Sequence, residues 1–549
     1  MSYNMDNIPI GVKAFQNLAN CCCPRLHFNR EFYYRSSVLI LTYFAYMCYH
    51  LTRKPISVVK AVLHQNCTAL TPSSEVPADH ITNWCDWAPF DGSDAEATAM
   101  LGTLDSAFLV TYAIAMFISG FIAERINLRY FLSLGMLLSG LFCYLFGVAK
   151  SYNIHSFVYL LVVQALAGIA QTTGWPGVVT VVGNWFGKSK RGLIYGVWNS
   201  HTSIGNILGT LIAAKYVETD WSLSFIIPGL IIGVFGFVIF LFLVVHPTDV
   251  GCLPPDSQRL RNANSKRYKP LENRVANVET NSSDSEVDDT AILIGEQDIV
   301  KYPTYRSGNG FEIQRRVSER SYLLNEAVIS RPETAIGFFG ACKIPGVIEF
   351  SLSLFFSKLV SYTFMYWLPL YMNSYTALSA KLSADYSTMF DVGAILGAIL
   401  AGFISDWSGM PAVTCVIMLT AAAPMMFVYQ FMSSLNFEIN MLQLFLVGAL
   451  VNGPYALITT SVSAELGTHS CLEGNSKALA TVTAIIDGTG SIGAAVGPFL
   501  AGYLTQYGWN SVFYMLMASD ALALILLIRL VKREVINWRL RRQQQVRRE

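Results

Sequence analysis

The feature that most restricts this chain is a succession of apolar windows. Each is about 20 residues long, enough to cross roughly 30 Å of hydrocarbon as a helix. Twelve such windows can be read along the 549 residues. The first six lie near 36–60, 101–122, 130–149, 157–181, 192–214 and 223–245. The second six lie near 346–372, 386–405, 411–432, 440–463, 478–502 and 512–531. Lipid offers the backbone no hydrogen-bond partners, so each window is expected to close its own bonds as a helix. The short alternating segments of a membrane barrel do not occur. Composition agrees, with 53% of residues apolar and 14% charged. A formal net charge of +1 gives no basic footprint for nucleic acid.

The fold expected is therefore an all-α membrane protein of twelve transmembrane helices. Residues 1–35 form a cytosolic N-terminal segment, 36–250 one six-helix half, 336–531 the other, and 532–549 a basic cytosolic tail. Between the halves, 251–335 is polar, without sustained apolar periodicity, and includes ETNSSDSEVDD from Glu279 to Asp289. Such composition cannot bury enough surface to offset chain entropy, so a disordered linker is expected. Its acidic serine run reads as a solvated spacer or as a phosphorylation target.

Orientation follows the basic residues. Arg25, Arg30 and Arg35 precede the first span, Lys188, Lys190 and Arg191 lie between the fourth and fifth, and Arg539, Arg541, Arg542, Arg547 and Arg548 follow the last. With twelve spans all of them share the linker's side, which makes both termini cytosolic. The opposite face receives the long first loop with Glu75, Asp79, Asp86, Asp91, Asp94 and Glu96. The first 35 residues lack the apolar core of a cleavable signal peptide. In the first loop, Asn66 opens an Asn-Cys-Thr glycosylation sequon, and Cys67 and Cys85 face an oxidising compartment that permits a disulfide. Cys21, Cys22 and Cys23 precede the first span, as palmitoylation sites or as unmodified thiols. No Cys/His spacing resembles a metal site, and no cofactor is expected.

The chain also repeats itself. SGFIAERINLR (Ser119 to Arg129) follows the second span and AGFISDWSGM (Ala401 to Met410) the eighth. SIGNILG from Ser203 leads to Trp221, SIGAAVG from Ser491 leads to Trp509, and the distance is 18 residues in both cases (221 − 203 and 509 − 491). Two pseudo-symmetric six-helix halves are the economical reading. That architecture places a substrate site near the midplane between halves and implies alternating access.

Gly120, Glu124, Arg125 and Arg129 resemble the loop motif Gly-x-x-x-Asp-Arg-x-Gly-Arg-Arg of the major facilitator superfamily, with Gly402, Asp406 and Gly409 as a degenerate second copy. GWP, NWFGKSKRG and VWNSH, in that order, resemble the organophosphate:phosphate antiporters. With YHLTRKPISVVK, WCDWAPFD, VSYTFMYWLPLY and LVNGPYALITTSVSAELGTH, the chain is similar to the eukaryotic sugar-phosphate exchangers of that family. The resemblance implies the major facilitator fold and exchange of glucose 6-phosphate for inorganic phosphate in the endoplasmic reticulum membrane.

The residues themselves suit an anion carrier. A charge within a membrane helix costs roughly 2.5–3.5 kcal/mol on insertion scales, so it is expected to face a cavity and a partner. Thr42, Tyr46, Tyr49 and Arg53 fall on one helical face of the first span, and a guanidinium fork suits phosphate oxygens. Snorkelling of Arg53 to the interface is the alternative. Lys358, Tyr362 and Tyr366 share a face of the seventh span, although the family's spacing to Trp367 and Pro369 would select Ser361, one turn on. His201, close to Trp198 and Asn199, is read either as a ligand or as a structural histidine. Gln164, Gln171 and Trp175 in the fourth span, and Asn452 and Tyr455 in the tenth, line the cavity or serve packing. Asp487 is an intramembrane carboxylate that either balances a lysine or titrates as a proton-coupling site.

Three functions follow for comparison. The first is sugar-phosphate/phosphate exchange, with Arg53 and Lys358 closing on the anion. The second is proton-coupled symport of an organic anion by the same fold. The third, a membrane phosphohydrolase, lacks its motif, because the one Arg-Pro of the chain, Arg331-Pro332, lies in the linker with Leu324 where a lysine is needed. The expected partners are a sugar phosphate, inorganic phosphate and the bilayer, and the sequence does not fix an oligomeric state.

Overall fold

In a computed structural model the described residues are 7–22, 29–64, 86–123, 125–186, 197–253, 338–376, 378–432, 437–467 and 478–546. Glu124, Asn66, Cys67, Cys85, Lys188, Lys190, Arg191 and the expected linker from residue 254 lie outside them. The described part is helical, with no strand among its residues. A short helix, α1 (Ile10–Cys22), precedes the first span, which is built from α2 (Arg30–Arg53) and α3 (Pro55–Leu63). Then come α4 (Asp94–Ala123), α5 (Leu128–Ser151), α6 (Phe157–Gln171) with α7 (Gly174–Trp185), α8 (Ser200–Tyr216) and α9 (Leu223–Phe242).

The second half begins with α10 (Phe338–Cys342) and α11 (Val347–Thr376), followed by α12 (Ala380–Ser408) and α13 (Pro411–Met432). The next span joins α14 (Phe437–Leu457) through a π-turn to α15 (Ser463–Leu466). α16 (Ala478–Leu504) and α17 (Trp509–Val546) complete it. Side-chain caps fix several starts: Asn29, Asn127, Ser156 and Ser379 each accept from a backbone N–H of the following turn. Gly409, at φ +65°, ends α12 in a left-handed conformation.

Ten described helices are long and apolar enough to cross a membrane. The other two expected spans, the first and the fifth, fall short for a physical reason. α2 carries polar and charged residues up to Arg53, and α8 has a polar face, with residues 192–196 of its window outside the described residues. α17 runs on to Val546, through the basic stretch expected as a tail. Its terminal Arg539, Arg541 and Arg542 lie on a helix in the described region.

The sequence repeat has a structural counterpart. A Cβ on Gly205 or Gly209 of α8 would collide with the Met47 or Leu51 carbonyl of α2. A Cβ on Gly493 or Gly497 of α16 would collide in the same way with the Phe355 or Leu359 carbonyl of α11. Each half thus seats its fifth helix on its first through two glycines one turn apart, close enough that only a missing side chain permits the approach. This pairing sets a register between the halves. Met47 corresponds to Phe355, so Arg53 corresponds to Ser361 and His50 to Lys358.

Candidate anion-binding site

The first span breaks where Pro55 cannot donate a backbone hydrogen bond, and α3 begins there while Lys54 stays helical at φ −77°. Arg53 therefore sits well inside the span and is 3% exposed, so it does not reach an interface. Its Nε donates to Gln171 Oε1 at 2.6 Å and its Nη1 to the Tyr362 hydroxyl at 3.3 Å. Its guanidinium lies 4.7 Å from the Tyr112 ring centre, a cation–π distance. Gln171 is itself held by donating to Thr52 Oγ1 at 3.0 Å. The Arg53 Nη2 atom is buried with no hydrogen-bond partner among the described residues.

Across from it, Lys358 donates to Asp487 Oδ1 at 2.6 Å and to Ser491 Oγ at 3.3 Å. Its ammonium is 5.8 Å from the Tyr362 ring centre and 5.7 Å from that of Tyr455. Tyr362 is thus the shared wall between Arg53 of α2 and Lys358 of α11. Ser361, the symmetry counterpart of Arg53, donates to Asn452 Oδ1 at 2.7 Å.

Two further lysines are buried on the same seam. Lys54 donates to the Met365 carbonyl at 2.8 Å, with Asp391 Oδ2 at 4.0 Å. Lys60 is paired with Asp105 and also donates to the Tyr366 carbonyl at 3.2 Å. Each of these lysines, and Lys358, has a buried carboxylate within 4.0 Å. Arg53 has none among the described residues. Around Tyr362 and Tyr366 four buried cations face three buried carboxylates, Asp105, Asp391 and Asp487, which leaves one positive charge in excess.

Two cavities flank this charge cluster. One, of about 430 Å³, is lined by Thr52, Arg53, Gln164, Gln171, Asp105 and Tyr366 together with apolar side chains. The other, of about 450 Å³, is lined by His50, Asn199, Asn206, Ser361, Asp391 and Asn452 among others, with Tyr362 and Tyr455 as its wall toward Lys358.

The other expected residues are distributed unevenly. Gln171, Tyr362, Tyr366, Asn199 and Asn452 do line these cavities. Tyr49 instead bonds Thr173 Oγ1 at 2.8 Å inside the first half. His201 and Trp175 line neither cavity. The His201 ring sits 4.5 Å from Trp198 and 4.9 Å from Tyr46, and its Nδ1 bonds Thr202. Trp175 packs 5.0 Å from Tyr46. These two, for which a cavity-lining and a packing role were both open, are enclosed by aromatic rings; helical spacing fixes the angle of a side chain but not what packs outside it. In the loop motif, Gly120 is buried, Arg125 donates to the Phe121 carbonyl at 2.7 Å, and Arg129 donates to the Asn7 carbonyl at 3.0 Å. Asp406 closes α12 near Gly409.

Sequence reasoning missed Lys54, Lys60, Asp105, Asp391 and Asn206 as members of this cluster. The cost of an intramembrane charge, which singled out Asp487, applies equally to Asp105 and Asp391. That argument would have found both.

The family model described as "Major Facilitator Superfamily" matches residues 42–470. The glucose-6-phosphate exchanger SLC37A2 of Mus musculus is 51% identical over 513 residues, 93% of this chain and 95% of its own. The Bos taurus protein of that name is 50% identical over 92% of this chain and 96% of its own. Glucose-6-phosphate exchanger SLC37A1 of Homo sapiens is 48% identical over 93% and 95%. A solved bacterial homologue of the human lysosomal transporter Spinster shares the fold, with a TM-score of 0.53 at 15% identity over 92% of this chain and 97% of that one.

Proposed function

The chain belongs to the Major Facilitator Superfamily and is a multi-pass membrane protein, and on that premise we propose that it exchanges glucose 6-phosphate for inorganic phosphate by alternating access. The observation that carries this reading is Arg53, a buried guanidinium with no carboxylate partner among the described residues. A buried unpaired charge is costly, and an incoming phosphate supplies the missing partner with oxygens matched to the guanidinium fork. Lys358 is the second phosphate ligand, released from Asp487 as the anion arrives. The sugar-phosphate exchangers to which the chain is about half identical support the substrate class.

The reading includes an endoplasmic reticulum address, from the family resemblance, and cytosolic termini, from the distribution of basic residues. It also includes two six-helix halves joined by a tether at 251–335, substrate contacts from Tyr362, Tyr366, Gln171, Asn199 and Asn452, and a conformational role for the Gly120–Arg129 loop. Purified protein in vesicles tests it. Uptake of labelled phosphate that requires phosphate or glucose 6-phosphate inside, and ignores a proton gradient, is expected. Uptake that instead follows the proton gradient into empty vesicles would favour the symport reading.

A further inference from the structure

The glycine register relates the Lys358 site to a second place in the molecule. Lys358 lies three residues after Phe355, and Asp487 and Ser491 lie six and two residues before Gly493. The equivalent positions in the first half are His50, three after Met47, and Asn199 and Ser203, six and two before Gly205. One half therefore holds lysine, aspartate and serine where the other holds histidine, asparagine and serine. The scaffold is repeated and its charge removed.

His50, Asn199 and Ser203 all line the cavity of about 450 Å³. The rest of its polar lining is Thr202, Ser200, Asn206, Ser361, Asn452 and Asp391, with Tyr362 and Tyr455, and no lysine or arginine is among its described lining residues. Asp391 accepts from Asn206 Nδ2 at 2.8 Å, and Asn206 Oδ1 bonds His50 Nδ1 at 3.1 Å. The far nitrogen of that ring, His50 Nε2, is buried without a hydrogen-bond partner among the described residues, although His50 is 1% exposed and lines the cavity. The lining itself supplies no cation to hold a phosphate group, since Lys54, 4.0 Å from Asp391 Oδ2, is not part of it. Amides, hydroxyls and an imidazole suit a polyol, whose hydroxyls both donate and accept. Small residues at Ala394 and Ala398, one turn apart on α12, leave the room.

The geometry points to this cavity as the hydroxyl-reading subsite for the sugar part of the organophosphate, with the phosphate held across Tyr362 by Arg53 and Lys358. His50, Asn206 and Asp391 are its specificity-determining residues. The proposal rests on the exchange reading above, and the experiment separates the two. Phosphate-loaded proteoliposomes take up labelled phosphate while external glucose 6-phosphate or methyl phosphate competes. Ala394→Leu and Ala398→Leu each fill the cavity from its small-residue wall. In both, the KM for phosphate is expected to stay within about twofold, and the inhibition constant of methyl phosphate with it. The inhibition constant of glucose 6-phosphate is expected to rise about tenfold or more, as when one or two hydrogen bonds are lost. An unchanged glucose 6-phosphate constant in either exchanging variant overturns the proposal, as does a parallel rise for both competitors. Wild-type protein that exchanges no phosphate defeats the functional reading itself, a separate result seen before any variant is made.

Discussion

Asp487 is expected to compete with the substrate, and Asp487→Asn exposes that competition. At 2.6 Å the Lys358–Asp487 pair corresponds to about 6 kcal/mol of Coulomb attraction at an effective dielectric near 20. Phosphate must recover part of that to take Lys358. Asparagine keeps the shape and removes the charge, so the competitor disappears while both cations remain. If only about a quarter of the attraction survives desolvation, roughly 1.5 kcal/mol, phosphate binds about tenfold more tightly. Without ligand the same variant carries two unpaired buried cations and should melt earlier, since breaking a buried pair costs about 3–5 kcal/mol. Phosphate should then raise its melting temperature more than that of the wild type. Exchange should slow, because release lacks the carboxylate that reclaims the lysine. Phosphate titrations in detergent, followed by thermal unfolding, read both effects. A folded Asp487→Asn protein with unchanged or weaker phosphate affinity would refute the charge-balancing role.

Arg53→Ala should abolish exchange and weaken phosphate binding by about 100-fold, with Arg53→Lys restoring little because the bidentate fork is gone; wild-type affinity in Arg53→Ala, measured with labelled phosphate in detergent, would remove Arg53 from the site. Lys358→Arg should be milder than Lys358→Ala in the same assay, since a lysine acts there mainly as a point charge, and equal losses would argue against that role. Trimming about Asn262 to Arg320 should leave exchange largely intact, because the composition is that of a tether; a well-inserted deletion protein without transport would show otherwise. Lys60→Met, which strands Asp105, should lower the melting temperature sharply, whereas Lys60→Met with Asp105→Leu should recover most of it, and failure of the double variant to recover would mean the lysine's bond to the Tyr366 carbonyl dominates.

The helices were legible because hydrocarbon thickness imposes one length on every span, and the two weaker spans, α2 and α8, are weakened by polar residues such as Arg53 and Asn206 that they bury. Pairing across helices was not legible in this way. The face argument put Arg53 with Tyr46 and Tyr49, yet Tyr49 turns to Thr173 while Arg53 reaches Gln171 and Tyr362. A window ending near residue 60 placed Lys60 at the membrane edge, where a lysine raises no question, but α3 runs to Leu63 and buries it. The spacing ambiguity between Lys358 and Ser361 has a structural origin: Ser361 holds the place symmetric with Arg53, whereas Lys358 holds that of His50. Helix α17 beyond residue 531 escaped because charge ends an apolar window without ending a helix.

The seam between the first and seventh spans shows why an anion is needed for movement on the exchange reading. Pro369 has no N–H, so the Met365 carbonyl four residues earlier lacks its helical partner. A buried acceptor left unpaired costs about 1–3 kcal/mol, and Lys54 supplies the bond from the opposite half. One residue on, Lys60 reaches the Tyr366 carbonyl, and one turn earlier Arg53 reaches the Tyr362 hydroxyl. Three cations of one half thus grip little more than a turn of the other. Parting the halves frees all three. Lys60 then keeps Asp105 of its own half, whereas Asp391, on α12, parts from Lys54 with the other half. Arg53 has no such carboxylate among the described residues. Without an anion, separation leaves a bare guanidinium in a dry cleft, and with phosphate or a sugar phosphate it does not. Return of the empty carrier is therefore the unfavourable step, so each anion that leaves must be replaced by another before the halves can move again.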